Sequence, residues 1–189
     1  MKNTVEDFWR LIDQFNVKQI VVLTEPHISD GDFLPTKQRR FTFGAMQVAL
    51  SDFQEDNYFR TLNIELHYKR KCKKVRVMCA SFGWMPQQVA PPNLQAIVNL
   101  WGTLKIAHEE DSITIVCHDG VTASGLFLAM GFVIDKIKLE QKVDAGLAVR
   151  TLRKARPAFV SSEIQFGLVH EAALNNFLSS FDTYGNFKR

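Results

Sequence analysis

The segment with the clearest chemical potential is VCHDGVTASG at residues 116–125. It follows the apolar run ITIV at 113–116 and precedes the apolar run LFLAM at 126–130, so the sequence predicts a strand, a tight turn and a helix. Such a turn points backbone N–H groups into one concavity, where the helix dipole adds about half a positive charge. A thiol held there, in this sequence Cys117, is suited to attack a phosphoryl group.

The positive charge that a phosphate site requires is missing from this segment. A phosphate dianion is best bound by the planar fork of an arginine, yet neither Arg nor Lys occurs between Asp111 and Asp135. Asp119 instead adds a carboxylate, which repels a dianion. Cys117, His118 and Asp119 also make a poor catalytic triad, because adjacent side chains in a tight turn splay apart. The segment therefore has the predicted shape of a phosphate cradle without its charge.

The elements that would position this segment are indicated by hydrophobic periodicity. Apolar residues at helical spacing predict helices at 5–15, 94–104, 125–139, 143–155 and 163–178, and β-branched or alternating runs predict strands at 17–23, 46–50, 62–66, 74–79 and 112–116. The strands at 62–66 and 74–79 flank the basic run 69–74 and are expected to form a hairpin. Because strands and helices do not strictly alternate, we predict an α/β (α+β) class with a highly twisted mixed sheet and helices on both faces.

Composition and charge limit the possible functions. The chain has 189 residues, 46% of them hydrophobic, which is enough for one globular domain with a sizeable core. Its net charge of +3 is small, and the basic run 69–74 is typical of a solvated hairpin tip, so no nucleic-acid partner is expected. The sequence has no apolar window long enough to span a membrane and no signal peptide, so we expect no membrane segment and a cytoplasmic location.

The cysteines and histidines do not indicate a metal or a cofactor. Three cysteines, an odd number without C-x-x-C spacing, favour a reduced compartment over a disulfide framework. The histidines lack a metal-like partner four residues away, so we expect structural roles for them and neither a metal nor a cofactor. These histidines are His27, His67, His108 and His170.

Motifs spread over almost the whole chain resemble those of the classical protein tyrosine phosphatases. The matching segments are TVEDFWR at 4–10 with NVKQIVVLT at 16–24, FLP at 33–35, FGW at 82–84, VD at 143–144 with VRTLRKARP at 149–157, and SEIQF at 162–166. The closing FDTYGNFK at 181–188 is similar to the tail of a membrane-distal second domain of a receptor-type phosphatase. The resemblance implies the tyrosine phosphatase fold for residues 1–189 as a single partial domain, without the family's N-terminal helices and phosphotyrosine loop. If the chain is a fragment, it would be the intracellular portion of a membrane receptor.

The resemblance makes residues 116–125 the equivalent of the family's phosphate loop, whose signature is H-C-x5-R-[ST]-G. Cys117 keeps the nucleophile, whereas Val116 replaces the histidine before it and Ala123 replaces the arginine. Ser124 keeps the hydroxyl group. The remaining phosphate-loop positions are His118, Asp119, Gly120, Val121, Thr122 and Gly125.

Other catalytic positions of the family are altered too. Its acid loop, W-P-D-x-G-x-P, corresponds to residues 82–92, where Trp84 is kept but Pro86 occupies the position of the general acid. Ser161 replaces the glutamine that positions the attacking water, and a second glutamine is kept as Gln165. The resemblance thus implies that the proton donor and one water-positioning group are lost.

These losses predict a catalytically inactive or severely impaired domain. Loss of a charge-stabilising donor costs about 10²–10³ in rate and loss of a general acid about 10²–10⁴, so the deficit is on the order of four decades or more. The resemblance implies a regulatory role, with phosphotyrosine proteins or another phosphatase domain as partners; the oligomeric state stays open. Three alternatives also stay open: a phosphotyrosine-binding module without turnover, a weakly active phosphatase that uses Cys117, and a redox-sensing Cys117 thiol.

Overall fold

The computed structural model describes residues 4–24, 33–37, 39–81, 83–107 and 112–185. These residues form two compact units. The first unit comprises the described residues up to Pro86 together with those from 112 to His118, and the second comprises Gln87–Ala107 together with the described residues from Asp119 onward.

The first unit is built on a six-stranded mixed sheet. Its elements are α1 (Val5–Gln14), β1 (Gln19–Val22), β2 (Phe41–Phe43), β3 (Met46–Glu55), β4 (Phe59–Tyr68), β5 (Lys71–Ala80) and β6 (Ile113–Val116). The strand order is β2-β3-β4-β5-β1-β6. Strands β2 to β5 pair antiparallel, and β1 is parallel to both β5 and β6, so the mixed sheet predicted from the sequence is confirmed.

The predicted hairpin across the basic run is present as β4 and β5. Tyr68 pairs with Lys71, so that Lys69 and Arg70 form the turn, and Lys69 has the positive φ of 56° that a tight turn needs. Strand β3 was predicted to end at residue 50 but continues to Glu55. The continuation is exposed and follows a register shift between Leu50 and Asp52, so the alternation that marks a half-buried strand is absent there.

The core of the first unit lies between α1 and the sheet. The buried face of α1 contributes Trp9 and Ile12, which belong to one apolar cluster with strand residues such as Ile20, Ile64 and Val77. Burial of this aromatic and β-branched surface is the main stabilising term for the unit. Trp9 also donates its indole N–H to the Phe33 carbonyl at 2.9 Å, so the buried ring keeps a polar partner.

In the second unit, α2 (Leu94–Ala107), α4 (Ala145–Ala155) and α5 (Glu163–Gly185) pack around α3 (Thr122–Glu140). Helix α3 is apolar on nearly all sides, which is the pattern of a buried helix. Gly131 permits close packing against α2, since a methyl group there would lie 2.4 Å from the Trp101 ring. The helix begins at Thr122, three residues before the predicted start, and the Thr122 N–H donates to a carboxylate in the preceding turn.

Candidate functional site

The first part of the candidate site is the end of β6. Val116, half-buried, pairs with Val22 of β1, and the Leu23 N–H donates to the Val116 carbonyl at 2.9 Å. The half-buried Cys117 follows directly. The next N–H, that of the exposed His118, donates to the buried Thr24 hydroxyl oxygen at 3.0 Å. The backbone on both sides of Cys117 is therefore tied to the end of β1, and the His118 N–H has a protein acceptor.

The three cysteines lie in different environments of the first unit. Cys72 is exposed, Cys117 is half-buried and Cys79 is buried on β5. Burial raises the pKa of the Cys79 thiol to about 11, while the nearby Arg60 guanidinium lowers it in part. Cys79 is therefore protonated and unreactive at neutral pH, as expected for a residue that serves as a small core hydrophobe.

The boundary between the units falls after His118, and the rest of the phosphate-loop segment belongs to the second unit. Here the exposed Asp119 lies two residues before Val121, the N-cap of α3, and its carboxylate binds the start of the helix. Its Oδ1 accepts hydrogen bonds from the N–H groups of Val121 and Thr122, both at 2.8 Å, and its Oδ2 accepts from the Thr122 hydroxyl. The N–H groups at the start of a helix are those that would bind an external anion. Two of them are bound here by a carboxylate of the protein itself.

A guanidinium does approach this turn, from a residue that the sequence analysis did not assign to it. Arg156, just after α4, donates from Nη1 to the Gly120 carbonyl oxygen at 3.0 Å. Gly120 has a φ of 66°, and a methyl group added to it would lie 3.1 Å from this nitrogen. Arg156 thus supports the backbone of the turn through a carbonyl and does not occupy the position of Ala123. Arg156 and Gly120 are 36 positions apart, and no local pattern in the sequence marks their contact.

The first residues of α3 are packed inside the second unit. Ala123, which the resemblance aligns with the family's arginine, is 1% exposed, and Ser124 is 4% exposed. A methyl group on Gly125 would lie 2.8 Å from the Phe159 ring and 3.1 Å from the Phe159 Cα. Gly125 is therefore required by packing, since its neighbour includes backbone that is costly to move.

Gln165 connects three segments of the second unit. It is 1% exposed, and its Nε2 donates to the carbonyls of Val89 and Thr122, each at 3.0 Å. Both amide hydrogens have backbone acceptors, so Gln165 is a positioning residue in this structure. Its own N–H is held by the Ser162 hydroxyl at 3.2 Å, whereas the neighbouring Ser161 is exposed.

The Arg153 side chain donates hydrogen bonds to the backbone of the segment between α4 and α5. Arg153 donates from Nε to the Phe159 carbonyl at 3.1 Å and from Nη2 to the Val160 carbonyl at 2.7 Å. Val160 has a φ of 53°, a left-handed conformation that costs a β-branched residue about 1–2 kcal/mol. The hydrogen bonds from Arg153 help to keep this unfavourable conformation in place.

Residues 82–92, which the resemblance aligns with the acid loop, contain no acidic side chain. Trp84 is buried at 1% exposure, and Pro86 is a half-buried turn residue of the first unit. Residues 85–89 read Met-Pro-Gln-Gln-Val, and none of these side chains titrates in the physiological range. Phe82, where the segment begins, lies outside the described residues.

Comparison with known proteins places these features in a family context. A family model described as protein-tyrosine phosphatase matches residues 1–175. The chain is 30% identical over 185 residues to receptor-type tyrosine-protein phosphatase C of Rattus norvegicus, covering 90% of this chain and 14% of that protein. It is 27% identical over 201 residues to human receptor-type tyrosine-protein phosphatase epsilon, covering all of this chain and 28% of that protein. The chain thus spans well under a third of the length of these relatives.

A solved structure agrees with the fold. The catalytic domain of human protein tyrosine phosphatase non-receptor type 18 matches with a TM-score of 0.81 at 16% identity, covering 94% of this chain and 66% of that one. The predicted α+β tyrosine phosphatase fold is thereby confirmed. Among the described residues, none of the helices is both long and apolar enough to cross a bilayer.

Proposed function

The chain belongs to the protein-tyrosine phosphatase family, and on this premise we propose that it is a catalytically inactive or severely impaired member with a regulatory, protein-binding role. The observation that carries the proposal is the pair of hydrogen bonds that the Asp119 carboxylate accepts from backbone N–H groups. Its carboxylate accepts the N–H groups of Val121 and Thr122, which the family signature places at a phosphate-binding turn. The same turn has the methyl group of Ala123 where the signature has an arginine.

Two effects oppose phosphate binding at this turn. A bound carboxylate competes directly for the N–H donors, and its charge repels a dianion a few ångströms away. An absent guanidinium removes the bidentate partner that stabilises the charge of the transition state. Together with Pro86 in place of a proton donor, the expected deficit in rate is on the order of four decades or more.

The contacts that maintain the scaffold are present despite these changes. Gln165 and Arg153 satisfy backbone carbonyls around the start of α3 and the start of α5, and Gly125 accommodates the Phe159 ring. A fold kept without its chemistry is suited to binding. We therefore place phosphotyrosine proteins or another phosphatase domain as the partners, and we place the chain in the cytoplasm, where its three thiols would stay reduced.

A second candidate function, phosphotyrosine binding without turnover, is favoured by one contact. The Arg156 guanidinium lies at the Gly120 carbonyl and brings a positive charge to the turn. Rotation of this exposed side chain would offer a cation to a phosphoryl group. The resident Asp119 carboxylate argues against tight capture, because any anion must displace it.

Turnover of p-nitrophenyl phosphate and of a phosphotyrosine peptide by the purified chain tests the main proposal. An ordinary tyrosine phosphatase is measured in parallel, and the Cys117→Ser variant serves as the control for Cys117 chemistry. We expect kcat/KM to be lower than that of the ordinary enzyme by about 10⁴ or more. A rate within about tenfold of that enzyme, abolished in Cys117→Ser, would reject inactivity and establish a working phosphatase.

A titration with the same phosphopeptide separates the two candidate functions. Binding in the micromolar range or tighter, without turnover and weakened by Arg156→Ala, would support capture of phosphotyrosine. If the phosphorylated peptide binds no more tightly than the unphosphorylated peptide, capture of phosphotyrosine is rejected. The result would then support a regulatory role that does not use the turn.

A further inference from the structure

The exposed face of the β4–β5 hairpin brings together three side chains that the proposed function does not use. His67 of β4 and Cys72 of β5 are directly paired across the hairpin, and Glu65 lies two residues before His67. Residues paired across strands and residues two apart on one strand share a face of the sheet. The three side chains therefore emerge on the same surface, next to the turn at Lys69 and Arg70.

Their donor atoms are already close to one another. The Nε2 of His67 is 3.4 Å from Oε2 of Glu65 and 3.7 Å from Sγ of Cys72. All three donor atoms lie within 4.8 Å of one another. One nitrogen, one oxygen and one sulfur donor thus surround a space of the size of an ion.

We propose that Glu65, His67 and Cys72 bind a zinc-like divalent transition-metal ion. Zinc bonds of about 2.0–2.2 Å to nitrogen or oxygen and about 2.3 Å to sulfur, at tetrahedral angles, place nitrogen and oxygen ligands ~3.3 Å apart and nitrogen and sulfur ligands ~3.6 Å apart. The observed separations of 3.4 Å and 3.7 Å match these edges. The third edge, between the Glu65 oxygen and the Cys72 sulfur, is at most 4.8 Å and would shorten to about 3.6 Å on binding.

The donor set selects the class of metal. A thiolate and an imidazole favour zinc and its neighbours in the transition series over magnesium or calcium, which prefer oxygen ligands alone. Three protein ligands leave one position of a tetrahedral ion for water or for a ligand from a partner. The His67 and Glu65 side chains are 48% and 36% exposed, so an ion reaches the site from solvent without a change in the fold.

Charge balance requires the thiol to lose its proton. Binding releases the Cys72 proton to solvent, and the thiolate with the Glu65 carboxylate then neutralises a divalent ion. The basic residues of the hairpin oppose a cation, and Lys74 is paired directly with Glu65 on the same face. The neutral ion–ligand set limits this repulsion. The remaining repulsion predicts that the metal binds less tightly here than in closed four-ligand zinc sites.

Sequence spacing alone did not indicate this site. The expectation of no metal rested on the absence of a ligand four residues from each histidine, which is a helical criterion. In a hairpin, residues 67 and 72 are paired because the turn between Tyr68 and Lys71 fixes the register. A thiol five residues from a histidine is therefore its direct neighbour here.

Titration of the whole, reduced chain with Co²⁺, followed by absorption spectroscopy, tests the proposal. Thiolate ligation gives an intense charge-transfer band in the near ultraviolet, and a tetrahedral site gives visible d–d bands. We expect one equivalent of Co²⁺ to bind and to be displaced by Zn²⁺. The charge-transfer band should vanish in Cys72→Ser, and the affinity should fall at least about tenfold in His67→Gln and in Glu65→Gln.

Two controls make the assignment specific. His170→Gln removes an exposed histidine on α5, and Cys117→Ser removes another thiol; both should leave the spectrum and the affinity unchanged. The proposal is overturned if no charge-transfer band appears, if the band persists in Cys72→Ser, or if it is lost in Cys117→Ser. Since these readouts do not involve phosphate chemistry, the result is independent of the proposed regulatory function.

Discussion

In two regions of the second unit, side chains form hydrogen bonds with backbone groups. In one region the side chain is the acceptor, and in the other the side chains are the donors. In the α3 turn, residues 119–122, the Asp119 carboxylate accepts from the N–H groups of Val121 and Thr122. In the α4–α5 corner, residues 153–165, Arg153 and Gln165 donate to backbone carbonyls. The first region has an acceptor where an external anion would bind, and the second has donors where no anion competes.

The difference separates stability from recognition. If the Arg153 or Gln165 side chain were removed, the backbone carbonyls that it binds would lose this hydrogen-bond donor. An anion cannot take its place, because an anion only accepts hydrogen bonds. The N–H groups of the α3 turn can exchange the Asp119 carboxylate for another anion at modest cost. Changes in the corner should therefore affect folding, whereas changes in the turn should affect anion binding with only a small loss of stability.

The largest expected effect comes from removing Gln165. Gln165→Ala leaves the Val89 and Thr122 carbonyls without this partner and creates a void at a site that is 1% exposed. We expect the free energy of unfolding to fall by roughly 2–4 kcal/mol, measured by urea denaturation.

Gln95→Ala is the matched control for this change. Gln95 is an exposed residue of α2 whose amide donates to Asn99, so its removal should change the free energy of unfolding by less than about 0.5 kcal/mol. Equal losses for the two variants would mean that the corner does not brace the second unit.

A smaller effect is expected where the beginning of α3 itself packs against the corner. Gly125→Ala puts a methyl group 2.8 Å from the Phe159 ring, and we expect a net loss of about 1–2 kcal/mol after the gain in helix propensity is included. The same substitution at Gly167 of α5 meets nothing within 4 Å and should stabilise by about 0.5–1 kcal/mol. Thermal or urea denaturation measures both, and a gain in stability for Gly125→Ala would show that the two regions are packed loosely.

Much of the fold could be predicted because local patterns of apolar residues indicate the helices and strands. The alternation of apolar residues in 62–66 and 74–79 predicted the β4–β5 hairpin, and the helical spacing of apolar residues in 143–155 predicted α4. The end of β3 was missed because exposed residues from Ser51 to Glu55 carry no burial pattern. The start of α3 was missed because residues 122–124, Thr-Ala-Ser, add no large apolar side chain to the helical spacing.

The sequence assigns the candidate site a position in the chain but does not predict its contacts. It predicted that Asp119 would oppose a phosphate, and the structure adds that its carboxylate accepts the N–H groups of Val121 and Thr122. The contact of Arg156 with Gly120 and the pairing of His67 with Cys72 join residues that only the fold brings together. Contacts of this kind depend on the register of strands and the packing of helices, which a single sequence does not specify locally.

The smallest expected effect on stability, and the most direct test of the comparison, comes from Asp119. Asp119→Ala removes the carboxylate that accepts two N–H groups at the start of α3 and should lower the free energy of unfolding by about 1 kcal/mol. It should also raise the affinity for inorganic phosphate by about tenfold, since two N–H groups become available and one negative charge is lost. Chemical-shift titration with phosphate measures the affinity, and urea denaturation measures the stability.

Asp144→Ala separates the two consequences of losing a capping carboxylate. Asp144 caps α4 by accepting the Leu147 N–H at 2.7 Å, so its removal should cost a similar ~1 kcal/mol in stability. It lies outside the α3 turn and should leave phosphate affinity unchanged. If both variants lose stability but neither binds phosphate more tightly, the Asp119 carboxylate only stabilises the start of α3. The inactivity that we propose for this chain would then rest on Ala123 and Pro86 alone. A gain confined to Asp119→Ala would instead show that a resident anion keeps the turn from binding an external one.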